Sequence, residues 1–231
     1  MNPVLILTRN CLELTKKCVE SVHAQDIGTE IVIIDNGSTD GSLIWLHGEF
    51  MQMGTLLTFD GNEGVSRGWN AGLSKIFSQW TLGYEHCLVL NNDTILPPWF
   101  YRSLLSCNEP FITGVTCREM DEVMEYREPS ITDGPDFSAF LIRRDFWQKV
   151  GPFDESMVNY CSDVDYNFRA REMGLFCRNS HIKFYHERSS TLRLASPEDH
   201  KAIQEQSNRD HEAFRRKYGK MPNELNWRTY E

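Results

Sequence analysis

Glu30-Ile-Val-Ile-Ile-Asp35-Asn-Gly-Ser-Thr-Asp40 decides the fold. Its first half is an unbroken β-branched run of strand length. With no polar alternation, such a run is covered on both faces, as the strands of a parallel sheet are. Its second half is a cluster of turn-forming Asx, Gly and Ser residues. Upstream, Val4-Leu-Ile-Leu-Thr8 is another continuous apolar run, and between the two Leu14, Cys18, Val19 and Val22 recur at helical spacing. The unit is strand, helix, strand. Downstream it repeats, with a helix near 40 to 50, a strand at Thr55-Leu-Leu-Thr-Phe59, a helix from about 65 to 79, and a strand at His86-Cys-Leu-Val-Leu90. This alternation predicts an α/β fold, a mostly parallel sheet with helices on both faces.

The stretch from 108 to 137 is polar and Pro- and Gly-containing, with one short apolar run at Ile112 to Thr116, and predicts mostly long loops over a site. Regularity returns at Ser138 to Ile142, in a helix from Asp163 to Met173 and at Ile182 to Tyr185. Ser196-Pro-Glu-Asp199 then supplies a cap, a first-turn proline and early acids for a helix running to Tyr218 before Gly219. Phe214 and Tyr218, four apart, are expected to dock that helix on the domain.

In 231 residues, 24 basic side chains face 33 acidic ones, for a net charge of −9, and 40% of the chain is hydrophobic. That is enough apolar surface for a packed core, and it excludes disorder. The acidic balance, with no run of consecutive Lys or Arg, argues against a nucleic-acid partner. No apolar stretch approaches the roughly 18 residues of a membrane span, and residues 1 to 8 lack a secretory pattern, so a soluble chain beginning at Met1 is expected. The seven cysteines are odd in number and contain no C-x-x-C pair, which fits a reduced, cytoplasmic compartment.

In an open α/β sheet, ligands bind beyond the carboxyl ends of the strands. Those ends are polar here: Asp35-Asn-Gly-Ser-Thr-Asp40, Asp60-Gly-Asn-Glu-Gly64 with Asn70 and Gly72 in the next helix, and Asn91-Asn-Asp93. Turn and cap formation alone accounts for any one of them. Three converging on one crevice suggest a site. Asp93, flanked by Asn92 at a strand tip, is either a cap for the following turn or a ligand for Mg2+ or Mn2+. Asp163 and Asp165 open a helix, where the macrodipole favours them as caps; Asp163 is also placed to be a general base. His186 is either a hydrogen-bonded strand residue or a metal ligand. Trp69, Trp99 and Trp147 read as core or rim aromatics before sugar-stacking platforms. A rival comes from Gly64-Val-Ser66-Arg-Gly68, a GxSxG pattern that with Asp163 and His186 would make a serine hydrolase, although Asp60 to Glu63 separate it from its strand.

Taken in order, Val4-Leu-Ile-Leu-Thr-Arg-Asn10, Val32-Ile-Ile-Asp-Asn-Gly-Ser-Thr-Asp-Gly-Ser42, Asn62-Glu-Gly64, Asn70-Ala-Gly72, Leu88-Val-Leu-Asn-Asn-Asp-Thr94, Val150-Gly-Pro-Phe-Asp-Glu155 and Ser162-Asp-Val-Asp165 resemble the motifs of family 2 glycosyltransferases. The resemblance runs from about residue 3 to 190. It implies a GT-A fold with a single Rossmann-like sheet. Residues 1–195 would form the domain, with a nucleotide-sugar half at 1–107 and an acceptor and catalytic half at 108–195, and 196–231 would be a helix and tail packed on it. It also implies inverting transfer from a UDP- or dTDP-sugar, rhamnose or glucose foremost, to a saccharide hydroxyl, with Mn2+ or Mg2+ as cofactor. By position, Thr8 and Asp35 would line the nucleobase pocket, the Asp35 carboxylate accepting the N3 proton of uracil or thymine. Asn62, Gly64, Asn70 and Asn92 would lie along the nucleotide. Asp93 and His186 would hold the metal and Asp163 would be the base. Asn91 stands where the metal motif has its first acid, in a rhamnosyltransferase-like Asn-Asn-Asp form, and Ser162 replaces the Glu that usually precedes the base. A silent domain that binds nucleotide sugars or glycans is the other alternative.

Overall fold

The computed structural model describes residues 1–78, 83–132, 136–187 and 197–225. The first half alternates as the sequence predicts: β1 (Asn2–Thr8), α1 (Leu12–His23), β2 (Thr29–Asn36), α2 (Ser42–Gly48), β3 (Thr55–Phe59), α3 (Val65–Phe77) and β4 (His86–Asn91). The second half holds β5 (Thr94–Ile95), α4 (Phe100–Ser106), β6 (Phe111–Cys117), α5 (Met120–Val123), β7 (Ala139–Arg143), α6 (Arg144–Val150), α7 (Ser162–Glu172), β8 (Arg178–His186) and α8 (Pro197–Tyr218). Ser196, the expected cap of α8, lies outside the described residues. Among those described, no helix is long and apolar enough to cross a membrane.

The strands form one sheet in the order β3-β2-β1-β4-β7-β6-β8-β5. β1, β2, β3 and β4 pair in parallel, whereas β7 runs antiparallel to both β4 and β6. β6 is parallel to β8, and the short β5 returns antiparallel to the end of β8, with Thr94 opposite His186. The 108–137 stretch is thus only partly the loop region that its composition suggests. Its short apolar run is β6, an internal strand buried at Phe111 to Gly114, and the irregular chain lies beyond it.

Both faces of the sheet are covered, as the continuous apolar runs require. Val4, Ile6, Ile31, Ile33, Leu88 and Leu90 face one core with Cys18 and Val22 of α1 and Leu104 of α4. Leu5, Leu7, Val32, Ile34 and Val89 face the other with Trp69, Leu73 and Ile76 of α3 and Tyr166 of α7. Each such side chain contributes roughly 1.5–3 kcal/mol when fully buried. α3 sits close on β1: a Cβ at Gly72 would come within 2.3 Å of a Leu5 methyl carbon. Trp69 is a core residue against Phe140 and Phe153, and Trp147 packs on Phe77.

The carboxyl ends of β1, β2, β3 and β4 lie on one side of the molecule, and α8 comes back towards that side. Phe214 of α8 is fully buried with Met157, Cys161 and Val164. The end of α8 is bolted down by Asp165, a fully buried carboxylate that accepts from Arg169 at 2.9 Å, Lys217 at 2.7 Å and Tyr218 at 2.7 Å. Lys217 also reaches Asp154 at 2.7 Å. Burial raises the Asp154 pKa, but hydrogen bonds from Lys217 and Ser156 outweigh it and hold that carboxyl at about 2. Asp165 is therefore a structural hub, beyond the simple helix cap that its position suggests.

Candidate functional site

Asp35 to Asp40 follows β2, and most of it is consumed by loop construction. The Asp35 Oδ2 accepts the Ser38 N–H at 3.0 Å. Ser38 Oγ accepts the Asn10 N–H at 2.8 Å, and Asn10 Oδ1 accepts the Thr39 N–H at 2.7 Å, so the loops after β1 and β2 are stitched together. Asp40 accepts the N–H groups of Leu12, opening α1, at 3.2 Å and of Ser42, opening α2, at 3.1 Å. Burial raises its pKa, and the Ser42 and Leu12 hydrogen bonds more than cancel that, leaving it below the ordinary carboxylate range. One group is left over. Asp35 is fully buried beside Thr8 in the β1–β2 register, and its Oδ1 has no hydrogen-bond partner among the described residues.

The loop after β3 is held from β2. Asn36 donates to Asn62 Oδ1 at 3.1 Å and accepts the Glu63 N–H at 2.8 Å, while Asn62 Oδ1 also accepts the Gly64 N–H at 3.1 Å. Gly64 has φ 86° and ψ 171°, a conformation that only glycine adopts without strain. A Cβ there would meet Val158 Cγ1 at 2.2 Å and Val158 O at 2.6 Å. Gly64→Ala is accordingly expected to lower stability by about 3 kcal/mol, a fall in Tm of about 6–12 °C by scanning calorimetry.

The Asn91-Asn-Asp93 turn separates into roles. The Asn92 amide nitrogen lies 3.1 Å from Thr8 Oγ1, 3.1 Å from Asn10 O and 2.9 Å from Thr15 Oγ1, which pins the β4 turn to the β1–α1 junction. Beneath the turn, Cys18 contacts Thr94 Oγ1, and burial, opposed by that hydrogen bond and aided by the Asp93 charge, pushes its thiol up to about 12. Asp93 is left facing His186, with Oδ1 3.1 Å from Nε2 and both side chains largely buried. Their meeting follows from β5 pairing with β8. The other ring nitrogen of His186, Nδ1, is buried without a partner among the described residues.

These groups share a cleft of about 360 Å3, a size suited to a small-molecule ligand. Leu7 and Thr8 come to it from β1 with Arg9 just beyond, Asn36 from β2, Asn62 from the loop after β3, Val65 from the start of α3, and Asn91, Asn92 and Asp93 from the end of β4 and its turn. His186 closes one side, with Asn159, Tyr160 and Ile203 of α8 completing the wall. Arg9 was not singled out by sequence, yet among the described residues its Nε is buried without a partner, in a cleft that Asp93 also lines. Among the described residues, no group of three or more His, Cys, Asp or Glu side chains is arranged around a common metal position.

Asp163 stands in the first turn of α7, three residues beyond Tyr160 of the wall, and its Oδ1 accepts the Val164 N–H at 2.9 Å. Neither Asp163 nor Asp35 is itself a lining residue of this cleft. Asn70, expected along the nucleotide, is not brought to it either. Its amide donates to Phe153 O at 2.9 Å and to Glu155 at 2.9 Å, and its oxygen accepts the Phe153 N–H at 2.8 Å, so that it clamps the 152–155 turn.

The hydrolase alternative fails on geometry. Ser66 is fully buried within α3 and donates its hydroxyl proton to Met157 O at 2.6 Å, whereas His186 is engaged with Asp93. A nucleophile elbow needs an exposed hydroxyl on a strand-to-helix turn. Ser66→Ala is expected to leave turnover unchanged and to cost about 1 kcal/mol of stability, read from denaturant melts beside activity assays. All seven cysteines are free thiols.

Residues 4–150 match the sequence profile of glycosyl transferase family 2. Uncharacterized proteins of Mycobacterium bovis and Mycobacterium tuberculosis are 27% identical over 170 residues, covering 64% of this chain and 59% of theirs. The chain thus spans about three-fifths of the length of these curated relatives. Among solved structures, a mannosyltransferase of Pyrobaculum calidifontis in complex with GDP-Man and Mn2+ superposes with a TM-score of 0.55 at 15% identity, over 80% of this chain and 56% of that one. Glucosyl-3-phosphoglycerate synthase of Mycobacterium tuberculosis, in complex with Mn2+, UDP and glucosyl-3-phosphoglycerate, superposes with a TM-score of 0.58 at 12% identity, over 84% of this chain and 74% of that one. At these identities the superpositions speak to the fold, which is GT-A.

Proposed function

The chain belongs to glycosyl transferase family 2, and on that premise we propose that it is an inverting, metal-dependent glycosyltransferase moving a sugar from a UDP- or dTDP-sugar to a hydroxyl of a saccharide acceptor. The observation that carries the reading is the Asp93–His186 pair, 3.1 Å apart in a cleft at the carboxyl ends of the parallel strands. Two donors at that separation suit adjacent positions around a divalent ion with bonds of about 2.1 Å, and such ions commonly take their remaining ligands from substrate phosphates and water. Asp93 and His186 are therefore the residues that would hold Mn2+ or Mg2+, and structural relatives are in complex with Mn2+. Bound there, the cation would neutralise charge building on the departing diphosphate.

The remaining groups divide the work. The unpartnered Asp35 Oδ1 is suited to accept the N3 proton of uracil or thymine, because a buried acceptor left unsatisfied costs about 1–3 kcal/mol until a ligand pairs with it. Asn36 and Asn62 shape the cleft beside it. Asn92, which lines the cleft, also holds Thr8 in place beside the nucleotide. Asp163 takes the proton of the acceptor hydroxyl as its oxygen attacks C1 of the sugar from the face opposite the diphosphate; the C1–O bond to phosphate breaks and configuration inverts.

Arg9 adds a fixed positive charge to the cleft on the side of β1. Arg9→Ala is expected to weaken binding of UDP or dTDP about tenfold, measured by titration calorimetry with Mn2+.

The test of the function is a thermal-shift panel of nucleotide sugars with and without Mn2+, followed by assay of nucleotide release. A cognate donor at a hundred times its Kd should raise Tm by about 5–10 °C, and only with metal present. Absence of stabilisation by every nucleotide sugar, with and without metal, rejects the proposal.

A further inference from the structure

α8 carries a carboxylate on its apolar side. Asp210 lies one turn before Phe214, is fully exposed to neither solvent nor cleft, and is completely buried. Its Oδ1 accepts the Val158 N–H at 2.9 Å and the Gln206 amide at 2.7 Å, and its Oδ2 accepts the N–H groups of Asn159 and Tyr160 at 2.9 Å each. Three successive main-chain donors thus converge on one side chain. On the opposite edge of the same strap, Val158 O accepts the Val65 N–H at 2.7 Å and the Ser66 N–H at 3.2 Å, and Met157 O accepts the Ser66 hydroxyl. The strap is slung between the start of α3 and the middle of α8, and the side chains it presents, Asn159 and Tyr160, form the cleft wall with Ile203 from α8 itself.

A carboxylate buried among apolar neighbours is retained only where charge-assisted hydrogen bonds compensate its lost hydration. A packed aliphatic residue would dock α8 as well as Asp210 does, but it would leave the three N–H groups of the strap unsatisfied. The strap leads directly into Cys161, which has a left-handed φ of 65° and begins α7 with Asp163 in its first turn. Burial and the nearby charges of Asp163, Asp210 and Asp165 push the Cys161 thiol up to about 12, so it stays a neutral packing group.

We propose that Asp210 is a positioning residue: from the C-terminal helix it fixes the 158–160 strap, and through it both the Asn159–Tyr160 wall of the cleft and the start of the helix that bears Asp163. It touches no substrate. This rests on the transferase reading above, and on that reading it sets turnover with little effect on nucleotide affinity, since the groups facing the nucleotide belong to β1, β2 and the β4 turn.

The test compares Asp210→Asn with Lys217→Ala, which loosens α8 at its far end and leaves the strap untouched. Two quantities are read: amide hydrogen exchange at 158–160, and kcat and KM for nucleotide release from the donor selected by the thermal-shift panel. Asp210→Asn should speed exchange at 158–160 at least tenfold and lower kcat at least tenfold with KM changed less than threefold. Lys217→Ala should leave kcat within threefold at a comparable loss of Tm. Equal losses of kcat in the two variants, unchanged exchange, or full kcat despite fast exchange would overturn the proposal. Should Asp210→Asn fail to fold, Asp210→Glu keeps the charge, displaces it by a methylene and is read in the same way. If the wild-type protein neither binds UDP or dTDP with Mn2+ nor releases nucleotide from any donor, the transferase reading falls, and the hold of Asp210 on the strap is then decided by exchange alone.

Discussion

Asp93→Ala is expected to lower turnover about a thousandfold and to abolish the metal dependence of nucleotide binding. The expectation rests on how little else the cleft offers. Among the described residues its carboxylate is the one that lines the cleft, and no cluster of acids stands by to take over. Removing it leaves His186 as a lone protein donor, and loss of charge stabilisation at a leaving group of this kind costs about 3–4 kcal/mol, or two to three powers of ten. Titration of the variant with UDP at increasing Mn2+ is the measurement. If Mn2+ strengthens UDP binding to the variant as it does to the wild type, Asp93 is not the ligand. Cys18 and Thr94 support the turn from below, so the substitution should leave the fold in place.

Asp163→Asn should separate chemistry from binding. The amide keeps the acceptor oxygen for the Val164 N–H that the carboxylate now holds at 2.9 Å, so the start of α7 is preserved. What is lost is a group able to take a proton. General bases contribute about 10²–10⁴ to rate, and a loss in that range is expected in kcat while nucleotide affinity stays within about twofold. Stopped turnover with intact UDP binding supports the assignment. Unchanged turnover points to a different base, and a protein that binds nucleotide sugars yet turns none over, with or without Asp163, is the silent domain considered at the outset.

The fold was legible where the sequence carries local physics. Continuous runs such as Val4 to Leu7 and Ile31 to Ile34 are strands because both faces are covered, and their order followed from alternation with helices. β6 was harder to place, since its apolar run is short and its position between β7 and β8 depends on pairing with segments far along the chain. The site was legible in kind more than in detail. Asp93 and His186 were each visible as strand-tip residues, but only the pairing of Thr94 with His186 brings them together. Asn70 and Ser66 show why, since polar residues on a buried helix face look the same in sequence whether they serve a ligand or tie down a neighbouring loop. In Asp35 to Asp40, turn chemistry engages one Asp35 oxygen and leaves the other, which the proposed function gives to the nucleobase. Asp210 did leave a signal. It shares a helix face with Ile203, Phe214 and Tyr218, and a lone acid on an apolar stripe asks what it binds.

That the last long helix supplies part of the cleft has a consequence for biosynthesis. Strand tips from the first hundred residues can assemble as the chain emerges from the ribosome, because they belong to one early-formed parallel unit. The wall facing them waits for α8. A nascent chain can therefore bury much of its first core and still be inert until α8 has been translated and has packed against what was made before it.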